Sequence, residues 1–121
     1  MPLFDLDGKR VTKIPFAKDY VTFQKRLSED ERRAISDWIN ARIDGDDIHT
    51  AGWMPGRNWN GSVLQPIFER AARKNYDAAA KCFGLMVYVA FMDRPESEEW
   101  FSARFELNGR DIGSRTYFRK R

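Results

Sequence analysis

Both ends of the 121-residue sequence carry the same local signal, and it limits the folds open to the chain more than any other feature. FDLDGKRV (residues 4–11) and FELNGRDI (residues 105–112) each place Asp-Gly or Asn-Gly between short alternating runs. Two-residue hairpin turns need a positive φ at their central residues, and Asp-Gly and Asn-Gly reach it at low cost. Two antiparallel hairpins are therefore expected. In the first, Phe4 would face Val11 and Asp5 would face Arg10. In the second, Phe105 would face Ile112, Ala103 would face Ser114 and Phe101 would face Thr116. On its other side Glu98 would meet Arg119, Trp100 would meet Tyr117 and Ser102 would meet Arg115, which are favourable aromatic and opposite-charge pairs. One pair conflicts: Glu106 would face Asp111. Either Arg104 and Arg115 neutralise these carboxylates, or a bulge at Gly113 shifts the register.

Between the hairpins the pattern turns helical. LSEDERRAISDWINARIDG opens with a capping box, Ser28 and Glu31, and places acids at Glu29, Asp30 and Glu31 near the positive end of the dipole. Ile35, Trp38, Ile39 and Ile43 form one apolar stripe, and Gly45 is the expected stop. SVLQPIFERAARK predicts a second helix with Ser62 and Gln65 as its capping box and Pro66 in the first turn. Its apolar face would be Leu64, Ile67, Phe68, Ala71 and Ala72. NYDAAAKCFG reads as a further short helix closed by Gly84. Residues 85–92, LMVYVAFM, admit two readings. β-branched and aromatic content suits a buried strand. Equally, Ala79, Phe83, Met86, Val87, Ala90 and Phe91 share a helical face, which would extend the helix from Asp77 to about Met92. The fold class expected is α+β: an antiparallel sheet built from the N-terminal and C-terminal hairpins, lying side by side, packed against two to three helices in a single domain spanning 1–121.

Composition bounds the function classes. Hydrophobic residues make up 42% and charged residues 32%, a globular balance and not a disordered one. A single cysteine, Cys82, excludes an intramolecular disulfide and a cysteine-rich zinc module, and fits a reducing compartment. Its apolar neighbourhood predicts a buried, inert thiol. MPLFDLDGKR reaches charge within five residues, unlike a secretion signal, and the longest apolar run is too short to span a bilayer. A cytoplasmic protein without membrane contact is expected. Asn60-Gly61-Ser62 is formally a glycosylation acceptor but reads better as helix entry. The net charge of +3 is unevenly spread, with basic ends flanking an acidic stretch over residues 29–47. Such a division suits a solvated mixed surface, an anionic partner, or ends that pair with the middle of a second copy in a homodimer.

Signatures of chemistry are sparse. The sequence contains no G-x-G-x-x-G, no G-x-x-x-x-G-K, no H-E-x-x-H and no G-x-S-x-G. No cofactor and no metal is expected, and no catalytic residue is assigned. DGDDIH gathers Asp44, Asp46, Asp47 and His49, but lacks the spacing of a calcium loop and reads as a polar helix exit. KCFGLMVY shares a few positions with an RNA-recognition pattern and misses the rest.

Two surfaces remain as candidates. Residues 45–61 show no helical or strand pattern, yet they hold Trp53, Met54 and Trp59. A connector this long is usually functional, and one this aromatic is expected to pack on itself. His49, Trp53, Arg57 and Trp59 would line a pocket for a small molecule or a protein, unless the tryptophans complete the core. The second candidate is the outer face of the C-terminal hairpin. There Trp100 and Tyr117 would stand beside Arg104, Arg115 and Arg119, an arrangement able to stack bases and hold phosphates of a nucleic acid or another anion. The leading expectation is a non-enzymatic binding module using the aromatic loop. Nucleic-acid or anion binding by the hairpin face is the alternative, and an enzyme using His49 with the nearby aspartates is a third.

W-x-P-G-x-x-W-x-G (residues 53–61), Arg94-Pro95-Glu96 followed by Trp100, and the closing Thr116-Tyr117-Phe118-Arg119 resemble segments of short uncharacterised bacterial proteins, some of them carried on mobile, integron-type gene cassettes. The resemblance spans residues 53–119. It implies a bacterial, cytoplasmic accessory protein and carries over no functional residue.

Overall fold

A computed structural model describes residues 2–50, 62–103, 106–107, 110–111 and 115–120. The fold is α+β: helices packed on one face of a four-stranded, mostly antiparallel sheet. The strands of that sheet are β1 (Leu3–Phe4), β2 (Ile48–Thr50), β3 (Glu99–Ala103) and β6 (Thr116–Lys120), in the order β1-β3-β6-β2. A separate ribbon pairs β4 (Glu106–Leu107) with β5 (Arg110–Asp111).

The most patterned helix forms as expected. In α2 (Glu29–Asp44) the Ser28 hydroxyl accepts from the Glu31 N–H at 3.1 Å, and the Glu31 carboxylate accepts from the Ser28 N–H at 2.9 Å. This reciprocal pair satisfies two amides that the first turn leaves without helical partners. Ile35, Ile39 and Ile43 are buried, and Trp38 is partly buried with its ring edge-on to Phe83 at 6.1 Å. Gly45 does follow the last turn, but at a φ of −81°, so the left-handed freedom of glycine is not what stops the helix.

Residues 85–92 are helical. The helix α3 runs Tyr76–Met92 from an Asn75 cap whose side chain accepts from the Ala78 N–H at 2.9 Å. Gly84 therefore does not close a helix; it lies inside one. The strand reading fails because α3 is the central element. It packs against both other α-helices and the sheet, so its second half is buried nearly all round (Leu85, Met86, Val87, Tyr88, Ala90, Phe91 and Met92). Burial on every side erases the amphipathic period that marks a surface helix.

The expected helix over 62–74 shortens to Gln65 and Pro66 followed by a wide π-helical turn, Ile67–Ala71. The Ala72 N–H reaches back five residues to the Ile67 carbonyl at 2.9 Å. The capping box at Ser62 and Gln65 does not form: the Ser62 hydroxyl accepts instead from the Leu64 N–H at 3.1 Å. The predicted apolar face nonetheless holds, with Leu64, Ile67, Ala71 and Ala72 buried and Phe68 packed against them. The turn ends on two left-handed residues, Arg73 (φ 50°) and Lys74 (φ 64°), where the Lys74 N–H caps the Phe68 carbonyl at 2.7 Å.

One helix carries no sequence signal: α1 (Ala17–Lys25) starts at Phe16 with no side-chain cap and buries only Phe23. Tertiary contacts hold it. Lys81 on α3 pairs with Asp19 at 2.6 Å and lies 4.1 Å over the Phe16 ring, while the Arg32 guanidinium donates to the Gln24 and Leu27 carbonyls at its end.

Both terminal segments double back on themselves, with altered registers. At the N-terminus Phe4 bridges Arg10 rather than Val11, because Asp5 draws in its own loop: its carboxylate accepts from the Asp7 and Lys9 N–H groups, with Gly8 at φ +82°. Only β1 of this hairpin joins the sheet, running parallel to β3, which makes the sheet mixed. At the C-terminus Glu106 faces Asp111 as expected, yet further along Trp100 faces Arg119 and Ser102 faces Tyr117. Four residues (112–115) separate Asp111 from Thr116, whereas two (104–105) separate Ala103 from Glu106. The returning strand thus gains two residues, which keeps the same residues together on each face while moving their partners. A third departure is β2: three residues of the stretch read as patternless pair antiparallel with β6.

Two substitutions test these assignments in opposite directions. Ser28→Ala is expected to lower unfolding free energy by about 1 kcal/mol. At Gly84 an added Cβ meets no atom within 4 Å among the described residues, so Gly84→Ala is expected to raise it by about 0.5–1 kcal/mol. Urea denaturation followed by circular dichroism reads both.

Candidate functional site

The sheet has two unlike faces, and the register assigns every described side chain to one of them. The inner face carries Leu3, Trp100, Ser102, Tyr117 and His49. It lies against α3: Phe91 stacks on Tyr117 at 4.1 Å and 12°, and meets Trp100 at 4.8 Å. Trp100 and Tyr117 are each 1% exposed. The expected outward aromatic pair therefore faces inward. Arg115 and Arg119 share this side. Arg115 donates to the Ser102 hydroxyl at 3.3 Å and lies 5.5 Å over the Tyr88 ring, and Arg119 stands opposite Trp100. Arg104 lies outside the described residues. A base cannot stack on Trp100 or Tyr117 while Phe91 covers them.

His49 is also an inner-face residue. Its ring sits 5.9 Å from Trp100 and 6.1 Å from Phe91. Its Nε2 contacts the carbonyl oxygens of Asp46 at 2.8 Å and Ile43 at 3.2 Å. Carbonyls only accept, so Nε2 carries the hydrogen and donates to both. The imidazole thus closes the end of α2, where the last carbonyls lack helical partners. That geometry ties β2 to the end of α2 and fixes the tautomer, with the hydrogen on Nε2 and the basic lone pair on Nδ1. Trp53, Arg57 and Trp59, the other members of the expected pocket, lie outside the described residues. The aspartates beside His49 do not converge on it either. Asp44 pairs with Arg94, and Asp46 accepts from the Asp47 N–H at 2.7 Å. Among the described residues no three His, Cys, Asp or Glu side chains are grouped to hold a metal ion.

Arg94 and Glu98 form a buried clamp that the sequence reading did not single out for this role. Arg94 donates to Glu98 through Nε and Nη2, both at 3.1 Å, to Asn40 at 3.0 Å, and to Asp44. Glu98 accepts in turn from the Trp100 indole at 2.8 Å. The side chains are 11% and 9% exposed. Burial works against the Glu98 carboxylate, but the bonds from Arg94 and Trp100 and the charges of Arg94 and Arg119 outweigh it, holding its pKa below the usual value. The clamp joins the end of α2, the exit of α3 and the start of β3. Cys82 lies within the helical core at 0% exposure, and burial pushes its thiol up to about 12. It has neither the access nor the thiolate character of a nucleophile.

The outer face is different. Phe4 on β1, Phe101 on β3, Phe118 on β6 and Ile48 on β2 occupy one register row that crosses all four strands. Phe4 and Phe101 are 5.8 Å apart, and Phe101 and Phe118 are stacked at 5.5 Å with 18° between their planes. The three phenylalanines are partly exposed and Ile48 is 63% exposed. The Arg10 guanidinium lies 5.3 Å over Phe4 and pairs with Glu96 at 3.3 Å. One row further along, Glu99 and Lys120 face each other, both exposed. Apolar surface left in a continuous row on a sheet face is a candidate interaction surface. Its signal in the sequence is the alternation itself: Phe101 and Phe118 sit one residue out of phase with Trp100 and Tyr117.

Because Glu98 is ionised more readily in the fold than in the unfolded chain, its contribution is complete above the ordinary carboxylate value of 4.5 and is lost as pH falls through the lower folded value. Glu98→Gln is expected to cost about 3 kcal/mol at neutral pH by leaving Arg94 short of its partner. Denaturation from pH 7 to below pH 4 should show the gap between wild type and variant narrowing as the acid range is entered.

Comparison with protein-family models, with curated proteins and with solved structures returns no significant match to any of the three.

Proposed function

We propose that this protein is a non-enzymatic binding module that engages a protein partner through the outer face of its sheet. The observation that carries this reading is the unbroken row Phe4–Phe101–Phe118–Ile48 on the face opposite the helices. Burying such side chains against a partner contributes about 25 cal/mol per Å² of apolar surface removed from water. The groups best suited to chemistry support the same reading, since they already serve the fold: His49 donates to backbone carbonyls and Cys82 is enclosed. Protein is favoured over nucleic acid because Phe101 and Phe118 turn their ring faces on each other, leaving their edges outward, whereas a base plane needs a free ring face.

A bacterial, cytoplasmic setting and carriage on a mobile gene cassette belong to this proposal and rest on the sequence resemblance. No helix among the described residues is long and apolar enough to cross a membrane.

An apolar dye that brightens on exposed hydrophobic surface, such as anilinonaphthalene sulfonate, tests the face directly. The folded wild type at low concentration is expected to bind it saturably. The double variant Phe101→Thr/Phe118→Thr is expected to lose most of the signal while keeping its helical circular dichroism. Dye binding unchanged in the folded double variant would overturn the reading.

A further inference from the structure

We infer that the occupant of the outer sheet face is a second copy of this chain, packed face to face in a two-fold dimer; this rests on the binding-face reading above. The argument is the arrangement of charge and bulk on that face. In a two-fold dimer each patch meets itself, so it must be self-complementary. Place the axis parallel to the strands, between β3 and β6 and midway between the two sheets. Each copy's β3 then lies over its partner's β6, and each β1 over its partner's β2. Along the apolar row, Phe101 meets Phe118 and Phe4 meets Ile48. One row along, Glu99 of each copy meets Lys120 of the other, so the interface gains two opposite-charge contacts. One row the other way, Ala103 would stand over Thr116; Ala103 is only 5% exposed in the single chain, so this row adds little contact, and neither residue brings an unmatched charge. Aligned packing of two sheets tolerates this overlay at the usual angle of about 30°.

No other axis does as well. A parallel two-fold axis over β3 itself would set Glu99 against Glu99, and one over β6 would set Lys120 against Lys120, and like charges in contact oppose association; an axis across the strands would set Glu99 against Ala103 and Lys120 against Thr116, without the opposite-charge contacts. A nucleic acid would meet a face whose charged row holds one acid and one base, without net attraction for phosphate. The described face offers seven exposed or partly exposed positions, fewer than the roughly 20–30 residues a side of a tight interface, so the dissociation constant is expected on the order of 10–100 µM.

Sedimentation of the full chain, from about 5 µM to about 500 µM to span that range, is the first measurement. A monomer–dimer equilibrium is expected. Glu99→Lys and Lys120→Glu each place like charges across the interface, and each alone is expected to weaken association at least about tenfold. Mixing the two variants restores opposite charges at both contacts, so a one-to-one heterodimer near wild-type affinity is expected. The mixture also separates the interface from effects within one chain, because the Glu99 and Lys120 that face each other inside a chain are not repaired by mixing. A wild type monomeric throughout, single variants that dimerise as well as wild type, or a mixture that stays monomeric would each overturn the second copy as occupant. So would a monomer that instead retards single-stranded RNA in a salt-sensitive manner. Any of these with dye binding intact leaves the binding face standing and removes only its occupant; loss of the dye result removes the face itself.

Discussion

The joint between α3 and the sheet organises the molecule. Phe91 lies flat on Tyr117 at 4.1 Å and against Trp100 at 4.8 Å, and Tyr88 meets Tyr117 edge-on at 6.3 Å. Each large ring taken from water contributes on the order of 2–3 kcal/mol. Because side chains alternate along a strand, seating Trp100 and Tyr117 on α3 obliges Phe101 and Phe118 to point the other way. The buried face and the candidate binding face are therefore one decision, made by a single helix.

Polar groups that resemble active-site parts are used to fasten this joint. Arg94 and Glu98 tie α2, α3 and β3 at one corner, with the Trp100 indole bonded into the same carboxylate. His49 ties β2 to the end of α2. A buried ion pair is costly to desolvate and adds little net stability, but removing one member leaves an uncompensated charge. Such pairs act chiefly by making one arrangement of elements much better than its neighbours. Here they set the helix ends against the strand that carries the joint.

The edges of the sheet are treated differently from its face. Beside β1 the chain folds back, with Arg10 bridging Phe4, and β2 is only three residues long. Short or covered edges resist strand-to-strand pairing. The outer face has no such device among the described residues, and its apolar row is continuous across all four strands. This contrast supports the proposed association through the face rather than the edge.

What was legible in the sequence were the elements whose cause is local. The capping box at Ser28 and Glu31, the isoleucine stripe of α2, the apolar positions from Leu64 to Ala72, the N-terminal turn and the pairing of Glu106 with Asp111 are set by neighbours a few residues apart, and all are found. What only the tertiary structure decided depends on partners far along the chain. Residues 85–92 were not legible as helix because that half of α3 is buried nearly all round, where periodicity carries little information. Held by Lys81 and Arg32, α1 has no cap of its own. The three residues of β2 become a strand only beside β6. The two faces of the C-terminal hairpin are both aromatic, so the alternation that showed which residues share a face was silent on which face is buried. Phe91 settled that, by packing on Tyr117 and Trp100 and not on Phe118 and Phe101.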